Sequence, residues 1–81
     1  MATLFIVATP IGNLKDVSFR AIETLKEVDF ILAEDTRETF KLLNFYAISK
    51  PLISFFQHSK LNKVEYILNL LKQGRNLALV S

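Results

Sequence analysis

The chain has 81 residues, 51% of them apolar, with ten Lys or Arg against eight Asp or Glu for a formal charge of +2. That length holds one domain at most, near the lower limit of what a single core supports, and the apolar fraction asks for a buried sheet. The charges alternate without forming a block, which is too weak a basis to argue nucleic-acid binding; the lack of cysteine excludes disulfides, thiolate nucleophiles and Cys-ligated zinc, and one histidine cannot build a His-rich metal site.

Thr3-Leu4-Phe5-Ile6-Val7-Ala8 is a nearly continuous apolar run rich in β-formers, which predicts a strand buried on both faces. Thr9-Pro10-Ile11-Gly12-Asn13 breaks it. Asp16 or Ser18 then caps a helix reaching about residue 28, with Val17, Ala21, Ile22, Leu25 and Val28 on one stripe. Phe30-Ile31-Leu32-Ala33 predicts a second strand, and Glu34-Asp35-Thr36 is a polar stop that caps a helix over about residues 37–45, with Phe40, Leu43 and Leu42 facing inward. A connection over 44–50 leads through Pro51 into a third strand, Leu52-Ile53-Ser54-Phe55. Ser59 or Asn62 opens a third helix in which Leu61, Val64, Ile67, Leu68 and Leu71 share a face. Gly74 stands just past its end, where a left-handed residue is wanted, and Asn76-Leu77-Ala78-Leu79-Val80-Ser81 begins a fourth strand.

This β-α-β-α-β-α-β order predicts an α/β fold of three layers, a mostly parallel sheet with helices on its faces. In such sheets the ligand site lies beyond the carboxyl ends of the strands, which draws attention to segments 9–14, 34–37, 55–59 and whatever follows Ser81. A chain ending at the carboxyl end of a buried strand reads as truncated. No apolar run approaches the ~18 residues of a membrane-spanning helix, and the start lacks a basic leader region, so the expectation is a cytoplasmic protein without membrane contact.

In the first loop Gly12 lets backbone approach a ligand while Pro10 stiffens the exit from the strand, but a single glycine is neither a dinucleotide fingerprint nor a phosphate loop, and an ordinary βα turn explains it equally. Glu34 and Asp35 are adjacent acids whose repulsion favours a raised pKa on one, suiting a general base, with Arg37 placed to grip a phosphate or carboxylate. The plainer reading has Asp35 or Thr36 capping the second helix and Arg37 in solvent. His58, beside Phe55 and Phe56, is a base, a base-stacking neighbour or a surface residue. Lys60, Lys63, Lys72 and Arg75 touch a phosphate backbone or form a solvated face.

The same residues carry a family resemblance. Leu4-Phe5-Ile6-Val7-Ala8-Thr9-Pro10-Ile11-Gly12-Asn13-Leu14, Ala33-Glu34-Asp35-Thr36-Arg37 and Asn76-Leu77-Ala78-Leu79-Val80-Ser81 resemble, at consistent spacing, the tetrapyrrole methylase-like methyltransferases in the branch that acts on ribosomal RNA. The resemblance implies methyl transfer from S-adenosylmethionine to the ribose 2′-hydroxyl of a cytidine in small-subunit ribosomal RNA, free or in the assembled subunit, by a homodimeric enzyme. It implies two α/β domains with the cofactor between them, residues 1–81 being the N-terminal one, and a five-stranded sheet of order 3-2-4-1-5, leaving 3-2-4-1 here. Pro10, Ile11, Gly12 and Ser81 then line the cofactor, and Glu34, Asp35, Thr36, Arg37 and His58 face the substrate. An acidic, Gly- and Pro-rich loop that follows Ser81 in relatives is missing, so the fragment alone is expected to bind cofactor poorly and to be inactive. Two departures bear on substrate contacts: Glu38 stands where relatives often have histidine, and Phe56-Gln57-His58-Ser59 where they often have a His-acid-His-Asn run.

A ribose hydroxyl is a weak nucleophile near neutral pH, so transfer needs in-line placement and a proton acceptor, for which Glu34 or Asp35 is the candidate within this chain. Rival readings are another methylase of the class acting on a tetrapyrrole or a protein side chain, a non-enzymatic RNA- or nucleotide-binding module, and a structural domain with no site.

Overall fold

A computed structural model of the chain describes residues 2–9, 14–55 and 61–80. In chain order the elements are β1 (Leu4–Val7), a 3₁₀ turn (Leu14–Asp16), α1 (Phe19–Glu27), β2 (Phe30–Ala33), α2 (Thr36–Phe45), β3 (Leu52–Ser54), α3 (Leu61–Lys72) and β4 (Leu77–Val80). The four strands form one sheet, all parallel, in the order β1-β4-β2-β3, which is the expected 3-2-4-1 read from the other edge.

Alternation along the strands sorts the apolar residues into two cores. Ile31, Ala33, Ala78, Val80 and Val7 point to one face, where they meet Ala21, Ile22 and Leu25 of α1 and Leu42 and Leu43 of α2. Leu32 and Leu77 point to the other, against Ile67 and Leu70 of α3. This division follows from handedness. The first two crossovers step the same way across the sheet and the third steps back, so right-handed connections put α1 and α2 on one face and α3 on the other. Leu25, Val28, Ile31, Leu32 and Leu77 are fully buried, each stabilising the fold by roughly 1.5–3 kcal/mol before entropy is counted.

The helix ends are built from local chemistry. Of the two expected caps for α1, Ser18 is the one used: its hydroxyl accepts from the Ala21 N–H at 3.1 Å. Both α2 and α3 end in the same left-handed motif. After α3, Gly74 has φ +85°, its N–H donates to the Leu71 carbonyl and that of Arg75 to Leu70. After α2, Ala47 takes the left-handed position with φ 55°, its N–H donating to Asn44 and that of Ile48 to Leu43. The second case costs more, because alanine carries a Cβ into a conformation that suits glycine.

Three packing expectations are corrected. β1 is not buried on both faces: Leu4, Phe5 and Ile6 are exposed, Ile6 at 66%, and only Val7 is buried. It is an edge strand, bonded to β4 alone, and the α3 core stops at β4. On α2, Phe40 is 57% exposed, and the inward stripe is Thr39, Leu42 and Leu43, continued by half-buried Tyr46. On α3, Leu68 is 49% exposed, and Leu70 takes its place beside Ile67.

Candidate functional site

The register of the sheet sets the geometry of its carboxyl end. Val7 pairs with Val80, Val80 with Ala33 and Ala33 with Ser54, so all four strands stop in one row. At about 4.8 Å between neighbouring strands, the tips of β1 and β2 stand about 10 Å apart with the tip of β4 between them. The chain leaving β1 at Ala8 and the chain leaving β2 at Glu34 therefore emerge on either side of β4, within reach of one nucleoside-sized ligand.

At the tip of β2, Ala33 is fully buried and the next residue, Glu34, is exposed. The change from core to solvent in one step holds the Glu34 carboxylate at the rim of the sheet. Asp35 is the N-cap of α2, and its Oδ1 accepts from the backbone N–H groups of Arg37 (3.1 Å) and Glu38 (3.2 Å). Of the two readings of Asp35, the capping one is thus what the structure contains, with two otherwise unpaired helix donors satisfied by one oxygen. Thr36 is the first residue of α2 and half-buried, while Arg37 is exposed beside it. Glu38 is paired with Lys41 at 3.2 Å on the exposed face of α2, a contact of little energetic weight in solvent.

Glu34, Asp35, Thr36 and Arg37 are therefore brought together at one strand end. Pro10, Ile11, Gly12, Ser81 and His58 lie outside the described residues, as do Phe56, Gln57, Ser59 and Lys60. Phe55 packs against the α3 core, so its ring serves the fold rather than a stacked base. Among the described residues no group of three His, Cys, Asp or Glu side chains is arranged to hold a metal ion, and no helix is long and apolar enough to cross a membrane.

Two features escaped the reading of residue types. The Tyr46 hydroxyl, from the C-cap of α2, donates to the Leu14 carbonyl at the start of the 3₁₀ turn. Tyr46 continues the inward spacing of Thr39, Leu42 and Leu43, which marks its ring as core, but no sequence signal names a carbonyl 32 positions away as its partner. The second is a groove of about 330 Å³ between α1 and β1, lined by Phe5, Ile6, Val7, Ser18, Arg20 and Thr24 among others. It lies along the outer edge of β1, which pairs with no strand but β4 among the described residues.

An all-parallel sheet with its strand tips in one row and an acidic, capped loop at the tip of β2 defines an α/β domain of the kind that binds ligands at its carboxyl end. Residues 3–81 match the family of Tetrapyrrole (Corrin/Porphyrin) Methylases, and the chain belongs to that family. It is 56% identical over 81 residues to the Ribosomal RNA small subunit methyltransferase I of Thermotoga maritima, covering 100% of this chain and 36% of that protein. It is also 54% identical over 81 residues to the protein of that name from Bacillus subtilis, covering 100% of this chain and 28% of the relative. For the one from Mycoplasmopsis pulmonis the values are 51% over 81 residues, 100% and 36%. The chain thus spans about a third of the length of the curated relatives it matches.

Proposed function

We propose that these residues form the N-terminal domain of an S-adenosylmethionine-dependent methyltransferase that modifies small-subunit ribosomal RNA in the cytoplasm, at the ribose 2′-hydroxyl of a cytidine. The observation that carries this reading is the match to relatives of that name along the whole chain, at 51% to 56% identity. The fold supports it: the tips of β1, β4 and β2 are flush, so the strand ends at Val7, Val80 and Ala33 stand side by side at the edge where a parallel sheet binds its ligand. Pro10, Ile11, Gly12 and Ser81 would hold it. When bound, S-adenosylmethionine supplies an electrophilic methyl on a sulfur that departs as a neutral thioether, so no general acid is needed.

What the chain's own residues contribute is placement and a proton acceptor. Glu34 is the better base of the two acids, because Asp35 is engaged in capping α2 while Glu34 is exposed at the strand tip. In this reading the Glu34 carboxylate would take up the proton that the 2′-hydroxyl gives up when it is methylated. Thr36, Arg37 and His58 face the RNA, with the Arg37 guanidinium suited to a phosphate. The exposed edge of β1 supports a further strand pairing there and a second domain beyond it. The exposed rings of Phe19, Phe40 and Phe45 provide apolar surface for a homodimer.

The test is to incubate the intact protein with S-adenosylmethionine and unmethylated small subunits, then map the product by mass spectrometry of RNA fragments. A single new 2′-O-methylcytidine is expected. Methylation of a base, of protein or of a tetrapyrrole instead would replace the substrate assignment, and no transfer to any of them would overturn the enzymatic one.

A further inference from the structure

We infer that Asp35 is a positioning residue whose cap holds Glu34 at the tip of β2, an inference that rests on Glu34 being the proton acceptor. Glu34 is the one residue between the end of β2 and the N-cap of α2. Both of its neighbours are fixed, by different means. Before it, Ala33 is fully buried and sits in the sheet between Ser54 of β3 and Val80 of β4. The Ala33 carbonyl, part of the peptide that joins it to Glu34, accepts from the Phe55 N–H at 2.8 Å. The Phe55 ring packs against the α3 core, so that donor is itself anchored.

After it, Asp35 is held by its side chain as well as its backbone. Its Oδ1 accepts from the N–H groups of Arg37 at 3.1 Å and Glu38 at 3.2 Å, and its carbonyl accepts from the N–H of buried Thr39 at 3.1 Å. Asp35 itself is still extended, with φ −110° and ψ 98°, so the chain turns into the helix directly after it. Among the described residues no side chain bonds the Glu34 carboxylate, so what fixes its place is the backbone on either side. The Ala33 side is secured by the sheet and does not depend on any one side chain. The Asp35 side depends on one oxygen. Removing it leaves two helix donors unpaired, loosens the first turn of α2 and ties Glu34 at one end only.

The experiment follows single-turnover methyl transfer by the intact protein on unmethylated small subunits at saturating S-adenosylmethionine, so that rate is read apart from binding. Asp35→Ala is expected to be about tenfold slower than wild type, since displacing a reacting group by about an ångström costs up to about 100-fold. Asp35→Asn, which keeps the cap, should stay within about twofold of wild type. Asp29→Ala at the amino end, destabilised but remote, should match the wild-type rate, which separates positioning from loss of stability. Placed on Glu34→Gln, Asp35→Ala should slow transfer by less than a further factor of about two, because the group it positions is already disabled. Asp35→Gly, which lacks the acceptor yet is tolerated at a helix cap, replaces Asp35→Ala if that variant unfolds. A wild-type rate in Asp35→Ala, a rate in Asp35→Asn as low as in Asp35→Ala, or the full loss on top of Glu34→Gln would each overturn the inference. A wild-type rate in Glu34→Gln alone would instead remove the proton acceptor, and the inference with it.

Discussion

The two ends of the parallel sheet are built differently. At the amino end, the segments entering β1, β2 and β4 are tied to one another: the Asn76 carbonyl accepts from the Asp29 and Phe30 N–H groups, and the Asn76 N–H donates to Asp29 Oδ2 at 2.8 Å. Asn76 Oδ1 also accepts from the Thr3 N–H at 2.9 Å, and the Thr3 carbonyl receives the Leu77 N–H. At the carboxyl end the strands stop flush, and what emerges is an exposed Glu34 and a helix capped by Asp35. The amino end uses these polar groups on itself, whereas at the carboxyl end Asp35 caps a helix and Glu34 is presented to solvent. If the carboxyl end carries the site as proposed, substitutions at the two ends should separate into those that change activity and those that change stability.

The largest separation is expected at Glu34. Glu34→Gln should slow methyl transfer by at least about 100-fold, equivalent to about 2.7 kcal/mol of barrier, while leaving cofactor affinity and melting temperature near those of the wild type. Single-turnover kinetics check it, and an unchanged rate would remove Glu34 from the mechanism. At the other end, Asp29→Ala leaves the half-buried Asn76 N–H without its acceptor and should cost about 1–3 kcal/mol in urea unfolding, with little change in cofactor affinity. A large loss of affinity there would break the division between the ends.

Asp35 distinguishes cap from base. Asp35→Ala should lower stability by about 0.5–2 kcal/mol, whereas Asp35→Asn, which still caps, should cost only a few tenths and retain most of the methylation rate. If Asp35→Asn abolishes transfer while the fold is intact, the carboxylate does more than cap. The smallest effect is a gain. Ala47→Gly relieves the left-handed alanine and should stabilise the protein by up to about 1 kcal/mol in thermal unfolding, an increase that Gly74→Ala should mirror as a loss.

How much of this was legible in the sequence depended on the range of the interactions involved. The Ser18 cap, the Gly74 helix end and the alternation of strand and helix are set within a few residues and read correctly. So did the inward face of α1, but not all of that of α2, which carries apolar residues on more than one column: Phe40, Leu42, Leu43 and Phe45 allow several stripes, and only docking on the sheet selects Thr39, Leu42, Leu43 and Tyr46 and leaves Phe40 exposed. The same holds for Leu68 and Leu70 on α3. β1 has the composition of a central strand, yet in this chain it lies at an edge, since burial depends on a neighbour that composition cannot supply. At the site, Asp35 as a cap follows from local pattern. The Tyr46 bond to Leu14 and the Asn76 ties to Asp29 and Thr3 join residues far apart in the chain, and no spacing announces them.

In the proposed reading the carboxyl end of the sheet carries the cofactor site while the amino end only holds the fold. Hydrogen exchange of the intact protein with and without S-adenosylmethionine tests it most directly. Protection is expected in residues 8–14, in 34–37 and in the segment following β4, with no change at Asp29, Asn76 and their neighbours. Protection centred on the amino end, or none at the carboxyl end under saturating cofactor, would mean that the cofactor site lies elsewhere.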